Sequence, residues 1–238
     1  DIQQRIDFLR MQKSDRKVRV LDVGCGTGAI GIAIAHLFHG KDVEVHAIDI
    51  SQAAVDLSNE NARFVLGKAE RDKERVGQGQ EHNHLEEGKD YNYKSIACSA
   101  VNYTNTALEG EIMYDFGFDV VISNPPYIPS KDMKTLTSDV VDFEDYGALC
   151  GGDDGLDVVR DILQRLPEWC EGVEKNNNDT SSSVCPMRLN PICWMEVDTS
   201  HFALIEELTK KEDTIEFIQG VKDFGGLDRF VQLAIIKK

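Results

Sequence analysis

Val18-Arg19-Val20-Leu21-Asp22-Val23-Gly24-Cys25-Gly26-Thr27-Gly28 is the stretch whose reading decides the fold. Its first six residues form a short, mostly apolar run that predicts a strand, and glycine then recurs at every second position. Glycines there let the backbone turn tightly and approach a ligand closely, with the N–H groups of a following helix facing it. Ala29 to Phe38 supplies that helix, apolar and rich in small residues. Val43 to Asp49 predicts a second strand, and Ser51 caps a helix that carries Ala54, Val55, Leu57, Ser58 and Ala62 toward the sheet. Strand, turn, helix, strand, helix in this order is the pattern of a parallel, doubly wound sheet.

Before this core, residues 2–12 predict a helix with Ile2, Ile6, Leu9 and Met11 on one side. After it, residues 67–93 turn polar and predict an inserted loop. Ile96-Ala97-Cys98 predicts the third strand and residues 118–123 the fourth, followed by an irregular link over 128–150. A turn at Gly151-Gly152-Asp153-Asp154-Gly155 leads into a helix over 156–166. Residues 174–184 predict a second polar insertion, Cys193 to Val197 the fifth strand, and 201–211 a helix. The final strands, 214–221 and 229–236, have a link too short for a parallel crossover and so form an antiparallel pair. The expected fold class is α/β: a doubly wound, mostly parallel seven-stranded sheet with an antiparallel C-terminal pair, in one domain over 1–238.

Net charge is −16, from 42 acidic and 26 basic residues. Binding a phosphate backbone rests on Lys and Arg, so the balance disfavours a nucleic-acid partner. No apolar stretch approaches a membrane span, and the first residues lack a signal-peptide pattern. The chain starts inside an amphipathic helical pattern without methionine, which reads as a trimmed N-terminus. Cys25, Cys98, Cys150, Cys170, Cys185 and Cys193 show no metal-ligand spacing and suit a reducing compartment. His36 with His39, and His82 with His84, lack carboxylate or cysteine partners, so no metal is expected.

Asp49 ends the second strand about twenty residues after the turn, where a carboxylate accepts hydrogen bonds from both ribose hydroxyls of a nucleotide. Asp22, just before the turn, is placed to take the ammonium of an amino-acid moiety. Gly24-x-Gly26-x-x-Ala29 also satisfies a dinucleotide fingerprint, so NAD competes. Ser123-Asn124-Pro125-Pro126-Tyr127, at the mouth of the fourth strand, separates the two. The Asn124 oxygen can accept one N–H of a planar amino group. Neither proline carries an N–H, and Pro126 holds Pro125 extended, so the Pro125 carbonyl can serve as a second acceptor. Tyr127 adds a flat wall. Hydride transfer needs no such clamp, whereas methyl transfer from S-adenosylmethionine to a planar nitrogen does.

Asp22-Val23-Gly24-Cys25-Gly26-Thr27-Gly28, Asp49 and Ser123-Asn124-Pro125-Pro126-Tyr127-Ile128 resemble the seven-stranded S-adenosylmethionine methyltransferases that modify amino groups. Phe143-Glu144, Ala148-Leu149, Gly151-Gly152-x-x-Gly155-Leu156 and the ending Asp223 to Val231 are similar to the release-factor glutamine methyltransferases of the HemK/PrmC type. The resemblance implies a peptide chain release factor as protein substrate, its Gly-Gly-Gln glutamine held by Asn124 and Pro125, with Pro126 and Tyr127 completing the expected catalytic loop. It implies S-adenosylmethionine on Asp22, Gly24, Cys25, Gly26, Thr27, Gly28, Asp49, Ile50, Ala100, Val101 and Asn124. It further implies a helical factor-binding domain ahead of residue 1. Where relatives often have Ser-Asp-x near the adenine, this chain has Ser99-Ala100-Val101, and the usual Phe-Glu-Pro reads Phe143-Glu144-Asp145. Two rivals remain: an adenine-N6 methyltransferase stacking a flipped base on Tyr127, and a non-catalytic scaffold that binds S-adenosylmethionine. The expected state is a monomer, in the mitochondrion or else the cytoplasm.

Overall fold

Strands covered on both faces must be apolar almost throughout, which is why the first of them were readable as runs. A computed structural model describes residues 2–12, 16–39, 41–75, 91–104, 117–170 and 191–236. It divides into two compact units, residues 1–99 and 100–238. Seven strands form one sheet in the order β3-β2-β1-β4-β5-β7-β6.

The first unit contains α1 (Ile2–Gln12), β1 (Val18–Val23), α2 (Ala29–Leu37), β2 (Val43–Asp49), α3 (Gln52–Arg75) and β3 (Tyr93–Ala97). β1 is buried at every position. It runs parallel to β2 from Val18 opposite Val43 to Val23 opposite Ile48, and β2 runs parallel to β3 from Val45 opposite Tyr93 to Asp49 opposite Ala97. The register therefore sets the glycine turn, Asp49 and the end of β3 along one edge. α3 buries Val55, Ser58, Ala62 and Leu66, spaced as one helix face. Leu57, expected on that face, lies two residues from Val55, some 200° around the helix, and is exposed. Met11 stands in the same relation to Leu9 and is also exposed, so it does not join Ile6 and Leu9.

The predicted loop over 67–93 is corrected at both ends. α3 runs on through residues 67–75, because Ala, Glu, Lys and Arg favour helix without needing a buried face. β3 begins at Tyr93, three residues ahead of Ile96, since Tyr93 and Ser95 are both buried and a polar serine masks the strand pattern. Residues 76–90, the second insertion at 174–184, His82, His84 and Cys185 lie outside the described residues.

The second unit contains β4 (Val120–Ser123), the short α4 (Ser138–Val141) and α5 (Tyr146–Leu149), α6 (Asp157–Cys170), β5 (Ile192–Glu196), α7 (Phe202–Thr209), β6 (Ile215–Lys222) and β7 (Asp228–Ile235). β4 and β5 are parallel, while β7 is antiparallel to β5 and, as the short final link requires, to β6. The link over 128–150 is less irregular than expected: it holds α4, α5 and a 3-10 turn at Asp132–Thr135. α6 runs four residues past the expected end at Leu166, through Pro167. Tertiary contacts carry it: Trp169 is fully buried, its indole N–H donates to the Tyr103 carbonyl at 3.0 Å, and the Trp169 carbonyl accepts from Phe118 N at 2.8 Å.

Candidate functional site

In the first unit the site is built on the turn that ends β1. Gly24, Gly26 and Gly28 all have positive φ, at 68°, 53° and 79°. Gly24 N and Cys25 N both donate to the Ile48 carbonyl, at 2.8 and 3.0 Å, which ties the turn to β2. Asp49 completes the tie. One of its oxygens accepts from Gly26 N at 2.8 Å and the other from Ser51 N at 2.8 Å. Each carboxylate oxygen has a second lone pair, so Asp49 can fix the turn and still accept from a ligand. Beneath the turn Ser58 and Tyr93 share a hydrogen bond of 2.5 Å. A Cβ added at Gly28 would meet the Ser58 hydroxyl at 2.5 Å and the Tyr93 hydroxyl at 2.8 Å, whereas one at Gly24 or Gly26 would meet nothing within 4 Å. The turn is thus packed from below and open above.

Asp22 is almost wholly buried, and its carboxylate accepts from Gly31 N at 2.9 Å. Burial pushes its pKa up to about 7; the Gly31 hydrogen bond opposes this and the neighbouring Asp49 adds to it. Cys25 is likewise pushed up, to about 12, first by burial and then by Asp22 and Asp49. It is a thiol at neutral pH and packs rather than reacts.

In the second unit the site is the loop leaving β4. Asn124 is exposed while Ser123 and Pro125 on either side are buried, and Pro126 and Tyr127 are half-buried. The loop is held at two points. On one side, Ile128 N donates to the Leu149 carbonyl at 3.0 Å, Gly151 N to the Ile128 carbonyl at 2.9 Å, and Ser130 N to the Gly152 carbonyl at 2.8 Å. A Cβ at Gly151 would sit 2.5 Å from the Pro126 carbonyl oxygen, and one at Gly155 would strike that of Tyr127. On the other side, Arg229 donates to the Tyr127 hydroxyl at 2.8 Å and to Glu196 at 2.7 Å.

Of the other residues expected near a cofactor, Thr27 and Ile50 are exposed, Val101 is 43% exposed and Ala100 is half-buried. The sequence reading missed Ser58 and Tyr93 as supports of the glycine turn, and Glu196 and Arg229 as partners of Tyr127. Arg229 lies 102 residues from Tyr127, so only the strand register brings them together. The one available signal was Arg229 within the ending Asp223 to Val231, given above without a role.

Residues 14–78 match a sequence family described as a methyltransferase domain. Release factor glutamine methyltransferase of Bacillus anthracis is 32% identical over 155 residues, covering 64% of this chain and 42% of that protein. Its counterpart in Clostridium acetobutylicum is 31% identical over 213 residues, covering 90% and 58%. The chain is similar to the release factor glutamine methyltransferases. It spans about half the length of the curated relatives it matches. Among solved structures, TrmN from Thermus thermophilus shares the fold, with a TM-score of 0.50 at 13% identity over 97% of this chain and 48% of that one. Seven strands with an antiparallel C-terminal pair are the arrangement expected of this methyltransferase class.

Proposed function

We propose that this chain is the methyl-transferring part of a protein-glutamine N5-methyltransferase. Its methyl donor is S-adenosylmethionine, and its substrate is the glutamine of a release factor's Gly-Gly-Gln loop. The observation that carries the reading is Asn124. It is an exposed carboxamide at the end of a buried strand, flanked by two prolines and a tyrosine, on a loop pinned by Gly151, Gly155 and Arg229. The names of the relatives support the same substrate.

The first unit fits the donor. Gly24 and Gly26 present bare backbone to open space, Asp49 retains acceptor capacity for ribose hydroxyls, and Asp22 is a buried carboxylate that a cationic amino group would ionise. Bound there, S-adenosylmethionine supplies a methyl group on a positively charged sulfur. Asn124 and the Pro125 carbonyl accept the two N–H groups of the glutamine amide, and Tyr127 lies against its plane. An amide nitrogen is a poor nucleophile because its lone pair is delocalised into the carbonyl. Two acceptors on its hydrogens draw density back onto nitrogen and fix its direction. The nitrogen would gain the methyl as the methyl–sulfur bond breaks, the sulfur leaving as a neutral thioether, and would then give up one proton to water. No general base is needed before attack, so catalysis is orientation and electrostatics.

The test is incubation with methyl-labelled S-adenosylmethionine and either a release factor or a polynucleotide, read by peptide mass spectrometry and by retained label. One methyl on the Gly-Gly-Gln glutamine is the expected result. Label in the polynucleotide, or cofactor binding without label on any factor, would replace this reading by the adenine or the scaffold reading respectively.

A further inference from the structure

Arg229 is the second residue of β7, beside the end of β5, where Glu196 stands opposite Phe230 and Val197 N donates to the Arg229 carbonyl at 2.8 Å. Its backbone is therefore fixed by the sheet. One guanidinium nitrogen donates to Glu196 Oε1 at 2.7 Å and also to Tyr127 Oη at 2.8 Å, and the guanidinium carbon lies 5.4 Å from the centre of the Tyr127 ring. The arginine and glutamate side chains are each about three-quarters buried. Glu196 first, and then Tyr127, hold the guanidinium more firmly protonated.

A partly exposed ion pair alone contributes little to stability, so Glu196–Arg229 is a weak device if stability is its purpose. Its geometry serves a different one. A guanidinium has donors and no acceptor, so the Tyr127 oxygen is the acceptor in this bond. The phenol proton is then left to be donated outside the brace, and the ring cannot swing without breaking both a charged hydrogen bond and a cation–ring contact. Glu196 in turn keeps the arginine from turning out to solvent. Tyr127 is thus restrained by strand residues rather than by its own loop.

We propose that Arg229 and Glu196 are positioning residues that lock Tyr127 of the Asn-Pro-Pro-Tyr loop and so fix the plane in which the acceptor amide is held. This deepens the proposed function and rests on it. It assigns the C-terminal strand pair a part in turnover through a single side chain. Lysine is a poorer substitute: one ammonium can donate to both oxygens, but it lacks the planar guanidinium that lies against the Tyr127 ring.

The full chain is compared with Arg229→Met, Arg229→Lys, Glu196→Gln, Tyr127→Phe and the double variant Arg229→Met/Tyr127→Phe. Misplacing a reacting group by about 1 Å costs on the order of 100-fold in rate. Arg229→Met is therefore expected to lower kcat by roughly 10- to 100-fold with S-adenosylmethionine affinity unchanged by calorimetry. Arg229→Lys recovers only part of the loss, and the double variant is no worse than the poorer single one. Full activity in Arg229→Met, losses that multiply in the double variant, or cofactor affinity falling in step with kcat would each overturn the brace. A second readout does not depend on the substrate. In protein labelled at tyrosine Cζ, the resonance that Tyr127→Phe removes should move in Arg229→Met; an unmoved resonance overturns the brace. If wild type transfers no methyl to a glutamine while that resonance does move, the brace stands and the substrate assignment falls.

Discussion

Asp22 buries a carboxylate that most chains would leave in water, and the consequence is a pH dependence whose sign follows from its raised pKa. Ordinary aspartate loses its proton near 3.8, and here the value is about 7. Between these values the folded state holds a proton that the unfolded chain has released, so this group's contribution to stability falls as pH rises through the interval and is level above it. The full effect is roughly 4 kcal/mol at pH 8, of which about 2–3 kcal/mol accrues between pH 5 and 8. Asp22→Asn keeps an oxygen for Gly31 N and abolishes the titration. The stability of this variant relative to wild type should therefore rise by about 2–3 kcal/mol from pH 5 to pH 8, measured by denaturant unfolding at each pH. A constant difference would mean that the carboxylate does not titrate in that range. The same variant should bind S-adenosylmethionine more weakly, because the ammonium loses its counter-charge. Asn124 is the complementary case: Asn124→Ala should abolish turnover while cofactor affinity by calorimetry stays within several-fold. An active Asn124→Ala enzyme would remove the amide clamp.

The glycine turn has a packed face and an open face within one element. Gly28 and Gly24 share a left-handed conformation, but only Gly28 has atoms where a side chain would go. Gly28→Ala incurs backbone strain and a clash with Ser58 and Tyr93, and should cost roughly 2–4 kcal/mol in unfolding experiments. Gly24→Ala incurs the strain alone, about 1 kcal/mol, yet its methyl would occupy the open face and should weaken S-adenosylmethionine by far more than it weakens the fold. Equal stability costs would show that the two faces of the turn are not as different as described. This element was legible from Val18 to Gly28 because strand, glycines and small-residue helix are local patterns. The antiparallel ending was legible because a short link admits nothing else. What was not legible depends on distant residues. α6 outlasts Pro167 because Trp169 is buried against Tyr103; α3 is the exception, a local effect hidden by polar composition, since Lys, Glu and Arg favour helix on their own. The Tyr127–Arg229–Glu196 contact joins three separate stretches, and no window of sequence contains it.

For the whole chain, binding and stability are linked. A ligand that binds only the folded state at 100 times its Kd adds about 2.7 kcal/mol. In a protein of this length each kcal/mol moves the unfolding midpoint by about 2–4 °C, so S-adenosylmethionine should raise Tm by roughly 5–11 °C. This one measurement weighs the two nucleotides that the fingerprint Gly24-x-Gly26-x-x-Ala29 left in competition. NAD at the same concentration should leave the midpoint where it is. Asp49→Ala, which removes the acceptor proposed for the ribose and also the bond to Gly26 N, should flatten the response to S-adenosylmethionine at that concentration. Asn124→Ala should keep it, because the role proposed for Asn124 is on the acceptor amide. Net charge enters as a control: at −16 the chain repels polyanions, so a short polynucleotide should give no shift at moderate salt. A midpoint that rose with NAD and ignored S-adenosylmethionine would return the glycine turn to dinucleotide chemistry, and Asn-Pro-Pro-Tyr would then be no more than the end of a strand.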